Sequence, residues 1–331
     1  MASAVSGTGD LDFALSDGEM TRGGDDEATS PAGSLSDATR RREAVRERSL
    51  RTLRRRRLLG RVANGACAGA LALSLVPLVA LGYYLIERGM HALSWDFFVH
   101  DPTPAGIPGG GIADAIAGTL VVIGVAMAIA IPVALLVALF LVDRSGPVAG
   151  ALRFSADVLT GVPSIALGIF AYALIVTRMH HFSAFAGSFA LAVLMLPIMI
   201  RADEEAMRTV AVDLWEAGMA LGARRSRVIR SVVLREALPG LVTGNLLAIA
   251  RGIGETAPIL FVIGGGLTGS VNWNPFNQTS AMPVTIFGDG TQAFPAAQLT
   301  AWGTALVLVA LVLVLSIVAR IVAARLTRHA R

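Results

Sequence analysis

The chain has 331 residues, 54% hydrophobic and only 16% charged, with a formal net charge of +4. Together with a mean hydropathy of +0.64, these values exclude a soluble globular domain and fit a polytopic helical membrane protein. The net charge itself says little, because the charges are segregated along the chain.

Residues 1 to about 50 are rich in Ser, Gly, Asp, Ala and Arg and lack apolar periodicity. Such a segment buries too little surface to offset its ordering entropy, and it is expected to be disordered. No signal peptide is expected, since the first apolar run begins only after about sixty residues. Arginines crowd the stretch from Arg40 to Arg61. Directly before an apolar run, they read as a topology signal and an anchor to anionic lipid rather than a nucleic-acid site.

Six apolar runs follow: Val62–Ile86, Ala113–Val142, Phe154–Thr177, Phe182–Ile200, Leu241–Ile263 and Leu299–Ala324. Each is near the roughly 20 residues that cross a bilayer core. Cys67, the single cysteine, lies in the first run. It excludes a disulfide framework and reads as a small buried apolar side chain. With the arginine cluster inside, six crossings return the C-terminus to the cytoplasm. Arg144 and Arg153, the arginines between the fourth and fifth runs, and Arg320, Arg325, Arg328 and Arg331 all fall on the inner side. The first outer segment, Glu87–Ile112, reads as an interfacial aromatic stretch and a loop. The last, Gly264–Gln298, is polar and aromatic and reads as a loop that either receives a partner or caps helix ends.

The stretch Asp213–Pro239 is the longest charged segment between two apolar runs. Leu214, Ala217 and Leu221, then Val228, Ile229, Val232 and Val233, recur at helical spacing, the pattern of two short amphipathic helices. Gly222 stands between them, where a residue with positive φ is needed. Such a pair either lies on the bilayer surface or offers a docking face to a cytoplasmic partner.

Arg251 and Glu255 stand inside the fifth run, where an unpaired charge costs at least a few kcal/mol. At i, i+4 they share a helix face and are placed to pair. They form either a structural ion pair, or an anion site in which Arg251 binds and Glu255 balances its charge when empty. An arginine fork suits an oxyanion, Thr256 adds a hydroxyl, and Gly252 and Gly254 leave room for close approach. Arg201, at the end of the fourth run, is either a second anion contact or a snorkelling interface residue. All 28 basic residues are arginines. A P-loop requires a lysine, so any ATP must be bound by another chain. The histidines and Cys67 form no nucleophile–base or metal constellation.

These residues carry a resemblance. Glu216-Ala217-Gly218, Gly222, Val232-x-Leu234 resembles the EAA loop of type I ABC importer permeases, with Gly218 for the third Ala, Val232 for Ile and Arg235 for Pro. Pro239 supplies a stop four residues later. Arg251 with Gly254-Glu255-Thr256-Ala257-Pro258 looks like the ARxxGETAP signature of the PstA-type permeases of phosphate importers. Gly111-Ile112-Ala113, Gly118-Thr119-Leu120, Gly161-Val162-Pro163-Ser164-Ile165 and Leu196-Pro197-Ile198 match the same family. The resemblance covers roughly Gly60 to Arg325.

The resemblance implies an all-α integral membrane protein with six transmembrane helices. They form a type I ABC importer (MetI-like) permease bundle with cytoplasmic coupling helices. Residues 1–57 would be a disordered, Arg-rich cytoplasmic tail and 58–112 the first helix and outer loop. Residues 113–325 would be the permease domain, with a coupling loop at 202–240, and 326–331 a cytoplasmic tail. The implied place is the bacterial plasma (inner) membrane, with both termini cytoplasmic. The implied cargo is inorganic phosphate, passing Arg251, Glu255, Thr256 and Arg201. Glu216, Ala217, Gly218, Gly222 and Ala223 would couple to a PstB-type ATPase dimer. A PstC-type permease would complete the pathway, and a PstS-type phosphate-binding protein would deliver the anion, with lipid around and no nucleic acid. The chain itself would hold no catalytic residue, metal or cofactor. A permease for sulfate or molybdate, and a standalone channel or secondary transporter, are the alternatives. No internal repeat supports the last.

Overall fold

The computed structural model describes residues 31–329 apart from 105, 108 and 266–269, with side chains described from Leu59 to Arg325. No strand occurs among the described residues. The chain separates into two units, Met1–Val76 and Pro77–Arg331.

The first helix, α1, spans Pro31–Met90 and runs through the boundary between the units. Residues 31–57, expected to be disordered, are therefore helical in the described part. Their Ala, Arg, Glu and Leu are strong helix formers, and helix propensity needs no buried face. The first thirty residues of the expected tail lie outside the described residues. Cys67, expected to be buried, is exposed on α1. An apolar run in such a chain is apolar because it faces lipid, not because it enters a core.

In the second unit, α2 (Trp95–Val99) is capped by the Ser94 hydroxyl, which accepts the Phe97 N–H at 3.2 Å. The helices α3 (Ala113–Asp143), α4 (Pro147–Gly161) and α5 (Ser164–Met179) follow. Then come α6 (Ala184–Arg208), α7 (Val212–Ala220) and α8 (Arg225–Ile253). The chain continues through α9 (Ala257–Leu260) and α10 (Met282–Gly290) to α11 (Pro295–His329). Five described helices are long and apolar enough to cross a membrane, within α1, α3, α6, α8 and α11, and α4 with α5 makes a sixth if the pair is one span.

Three boundaries differ from the sequence expectation. The third run is not straight: α4 and α5 meet at 103°. Pro163 has no N–H and forces Val162 into extended backbone, which ends α4. The fifth run is not helical to Ile263. It stops at Ile253, where Gly254 caps the Arg251 carbonyl and Pro258 follows. Pro239, expected to stop a helix, lies inside α8, and the second of the expected short helices is the start of this long one. The carbonyl freed by Pro239 belongs to the exposed Arg235, where solvent can satisfy it.

Helix α6 is the centre of the bundle, with α3 and α8 along it. On α3, Ala126, Ala130, Ala134 and Ala138 recur every fourth residue and are fully buried. Small side chains at that spacing let two backbones approach closely. On α8, a Cβ at Gly240 would meet that of Ala206 at 2.8 Å, and one at Gly252 would meet the Met195 sulfur at 2.7 Å. A smaller cluster of Ala138, Met207, Val210, Val228, Val233, Ala237 and Leu241 closes the end of the bundle beside α7.

At the other end, the polar segment between α9 and α11 is tied down to α3. The Thr119 hydroxyl accepts the Met282 N–H at 2.9 Å and donates to the Ala115 carbonyl at 2.7 Å. Gly118 makes room, since a Cβ there would run into the Ser280 carbonyl and the Thr279 hydroxyl. Gly118→Ala should therefore lower stability by about 1–3 kcal/mol, read as a fall in the thermal midpoint of the purified protein. Gly124→Ala, where the same atom meets nothing within 4 Å, serves as control.

Candidate functional site

Arg251 sits in the last turn of α8. Gly252 faces Met195, the middle of α6, so the helix breaks about halfway through the bundle. Beyond the break, the Glu255 N–H donates to the Gly252 carbonyl at 3.1 Å, and the Thr256 carbonyl accepts the Leu260 N–H at 3.1 Å. The Arg251 side chain is 68% exposed and Glu255 25%, with 3.8 Å between Nε and Oε1. That is an ion pair too long for a hydrogen bond, so the guanidinium keeps its donors available. Gly252 is packed against Met195, whereas the space around Gly254 is open and its φ is −83°.

Arg201 is not a lone snorkelling residue. It forms an ion pair with Asp157 of α4, both about half exposed. Ala202 faces Gly244 as Met195 faces Gly252, so Arg201 lies about 9 Å along the helix axes from Arg251, at 1.5 Å per residue. The two arginines stand on adjoining helices without touching. Asp157 escaped the sequence reading, although it is a carboxylate inside an apolar run, the same signal that singled out Arg251.

One turn further along α6, Asp203 and Glu204 are buried. Both were expected in the coupling loop, but α6 continues to Arg208. Asp203 accepts from Asn245 of α8 at 2.6 Å. Glu204 takes Arg153 of α4 and Arg208, each at 2.8 Å. Arg153 also donates to the Leu141 carbonyl at the end of α3 at 2.8 Å. The Glu204–Arg208 spacing of four was the legible signal. This network joins α3, α4 and α6 where they meet the loop.

The loop turns at Gly222, whose φ of +76° is the left-handed value expected. Helix α7 lies against the start of α8 because Gly218 has no side chain: a Cβ there would meet the Val228 methyls at 2.9 and 3.0 Å. Arg225 holds the start of α8 to the end of α3 by an ion pair to Asp143 at 2.6 Å and stacks over Trp215 at 5.8 Å. The α7 residues that recur at helical spacing are not the ones packed on the bundle. Trp215 and Gly218 turn inward, whereas Leu214, Ala217 and Leu221 are exposed, Leu221 by 89%. Val212 and Met219 are exposed beside them, as is Glu216, while Ala223 is half-buried. On the α8 side the expectation holds, with Val228 and Val233 buried and Ile229 and Val232 half-buried.

The expected site residues do not line the large cavity of about 960 Å³ at the end of the bundle away from α7. Asp114, Asp289, Thr103, Ser280 and Thr300 are among its walls. Burial pushes the Asp289 carboxyl above its ordinary range.

A family model described as "Binding-protein-dependent transport system inner membrane component" matches residues 130–331. The phosphate transport system permease protein PstA 1 of Mycobacterium tuberculosis is 37% identical over 284 residues, covering 84% of this chain and 91% of the relative. The phosphate transport system permease protein PstA of Yersinia pestis is 35% identical over 272 residues, covering 82% and 92%. Among solved structures, an inward-facing MetNI methionine ABC transporter chain aligns at a TM-score of 0.50 with 21% identity, over 65% of this chain and 94% of that one. A chain of a bacterial ABC transporter that imports the acidic polysaccharide alginate aligns at 0.51 with 13% identity, over 77% and 95%. At these identities the two structures speak for the fold.

Glu204→Gln keeps the shape of the side chain and removes the charge between Arg153 and Arg208. It should cost about 1–3 kcal/mol of stability, read as a lower thermal midpoint in detergent. An unchanged midpoint would show that the buried network does not hold α4 to α6.

Proposed function

The chain belongs to the PstA-type permeases, a branch of the binding-protein-dependent transport system inner membrane components, and we propose that it carries inorganic phosphate inward as half of an ATP-driven importer. It is a multi-pass membrane subunit of an ABC transporter. The observation that carries the cargo assignment is Arg251. A half-free guanidinium ends a broken helix midway through an apolar bundle, with Glu255 as its ionic partner among the described residues, in a chain related throughout to phosphate permeases.

The other assignments extend this reading. A PstC-type permease supplies the second half of the pathway. A PstB-type ATPase dimer hydrolyses ATP, which this chain, without a lysine, has no P-loop to bind. A PstS-type protein delivers phosphate from outside. Both termini face the cytoplasm, by the distribution of arginines. The exposed apolar residues of α7 are the coupling face, because a helix that turned Leu214 and Leu221 to water alone would lose their burial energy. When ATP closes the ATPase dimer, α7 and the start of α8 move as one body through the Gly218–Val228 contact and the Arg225–Trp215 stack, and the Arg225–Asp143 pair passes the motion to α3. The bundle then opens outward, and hydrolysis reverses the motion. Differential contact of α7 with the two ATPase states supplies the coupling energy.

Radiolabelled phosphate uptake by phosphate-starved cells lacking this chain should return when the chain is restored, and excess sulfate should not compete. Competition by sulfate would move the cargo to another oxyanion. Arg251→Ala should lower uptake about 10- to 100-fold while the complex still co-purifies. Wild-type uptake by that variant would return Arg251 to a structural role. Gly222→Asp puts a side chain on left-handed backbone and a charge on the docking turn. It should abolish both uptake and stimulated ATPase activity in purified complexes while leaving membrane insertion intact.

A further inference from the structure

Among the described residues, Arg201 has one acidic partner. Glu204 is taken by Arg153 and Arg208, and Asp203 accepts from Asn245. Asp157, on the penultimate turn of α4, is therefore the carboxylate that faces Arg201 among the described residues. The pair links α4 to α6 with both side chains about half exposed. It differs in this from Glu204, one turn away, which is buried and held from two sides. A half-exposed ion pair on a lipid-facing surface would be costly, so this face is wet or faces the other half of a pathway.

A guanidinium presents the same parallel N–H donors to a carboxylate as to a phosphate. One fork cannot serve both at full strength. We propose that Asp157 is a further pathway residue: it holds Arg201 while no anion is present and competes with the passing phosphate for that guanidinium. The proposal rests on the phosphate-permease reading above. Asp157 does for Arg201 what Glu255 does for Arg251, so each arginine along the route carries its own exchangeable carboxylate. Competition keeps the anion from resting too tightly at either arginine. The carboxylate returns as phosphate leaves, and no uncompensated charge stays in the bundle.

The test uses the complete transporter, with its partner permease, ATPase and binding protein, in proteoliposomes. Binding of radiolabelled inorganic phosphate is measured on the same complex without the binding protein. Asp157→Asn removes the competitor and keeps the shape. It should tighten phosphate binding about fivefold, the factor set by an exposed ion pair of about 1 kcal/mol, and should slow uptake because release becomes harder. Asp157→Glu should restore both. Unchanged phosphate affinity in Asp157→Asn, beside a transporting wild type, overturns the proposal alone. So does full uptake by the exchanged pair Asp157→Arg with Arg201→Asp, including where Asp157→Asn fails to assemble, since a purely structural pair tolerates exchange. A wild type that takes up no phosphate overturns the functional reading and this proposal with it.

Discussion

Helices α6 and α8 touch almost backbone to backbone. Gly240, Gly244 and Gly252 face Ala206, Ala202 and Met195, and a Cβ at Gly244 would come within 2.5 Å of that of Ala202. Lipid tails are as apolar as leucine, so burial of apolar surface does little to hold helices together within a bilayer. Dispersion across a seam of small residues does so instead, and it falls steeply with distance. Helix α3 also packs along α6, and its alanines at every fourth position are fully buried. The rest of the structure follows from this seam. It sets the level of Arg251 against the middle of α6, brings Asn245 to Asp203, and places Arg201 and Arg251 on adjoining helices.

Charges inside such a seam are costly, and the structure separates them into two kinds. Glu204 is buried between Arg153 and Arg208, in short contacts that fix α4 to α6. Removing any one partner would strand the others, which is the behaviour of a structural network. Arg251 is open and only loosely paired with Glu255, and Arg201 shares a half-exposed contact with Asp157. Both pairs are more open than the Glu204 contacts, so they are held less firmly than the buried network. The same pairing rule thus yields a fixed network where the charges are buried and looser pairs where they are exposed.

The loop at α7 obeys a related division. Its inner face is set by one missing side chain: Gly218 lets α7 rest on Val228, and Trp215 stacks under Arg225. The outer face keeps Val212, Leu214, Met219 and Leu221 exposed. The helix is thus fixed on one side and apolar on the other, without being part of the core of the bundle. The ion pair from Arg225 to Asp143 and the bonds of Arg153 carry that connection into α3, α4 and α6.

The sequence by itself determined the class, most of the long apolar helices and the turn at Gly222. Hydropathy over about 20 residues is a local property, and so is the need for left-handed backbone at Gly222. Arg251 and Glu255 were legible for the same reason, since a charge in an apolar run is visible without knowing its neighbours. Tertiary structure alone decided which face of α7 turns inward, because Leu214 and Trp215 are both apolar and only the proximity of Val228 chooses between them. It also decided that α4 and α5 bend at Val162–Pro163, that Pro239 is tolerated inside α8, and that α8 stops midway through the bundle. Proline and glycine permit a break at many positions, and packing selects which are used. The pairing of Arg201 with Asp157, 44 residues earlier, lay beyond any local pattern. Partners that distant are chosen by how the helices pack, and that packing depends on small residues whose facing neighbours cannot be read along a single chain.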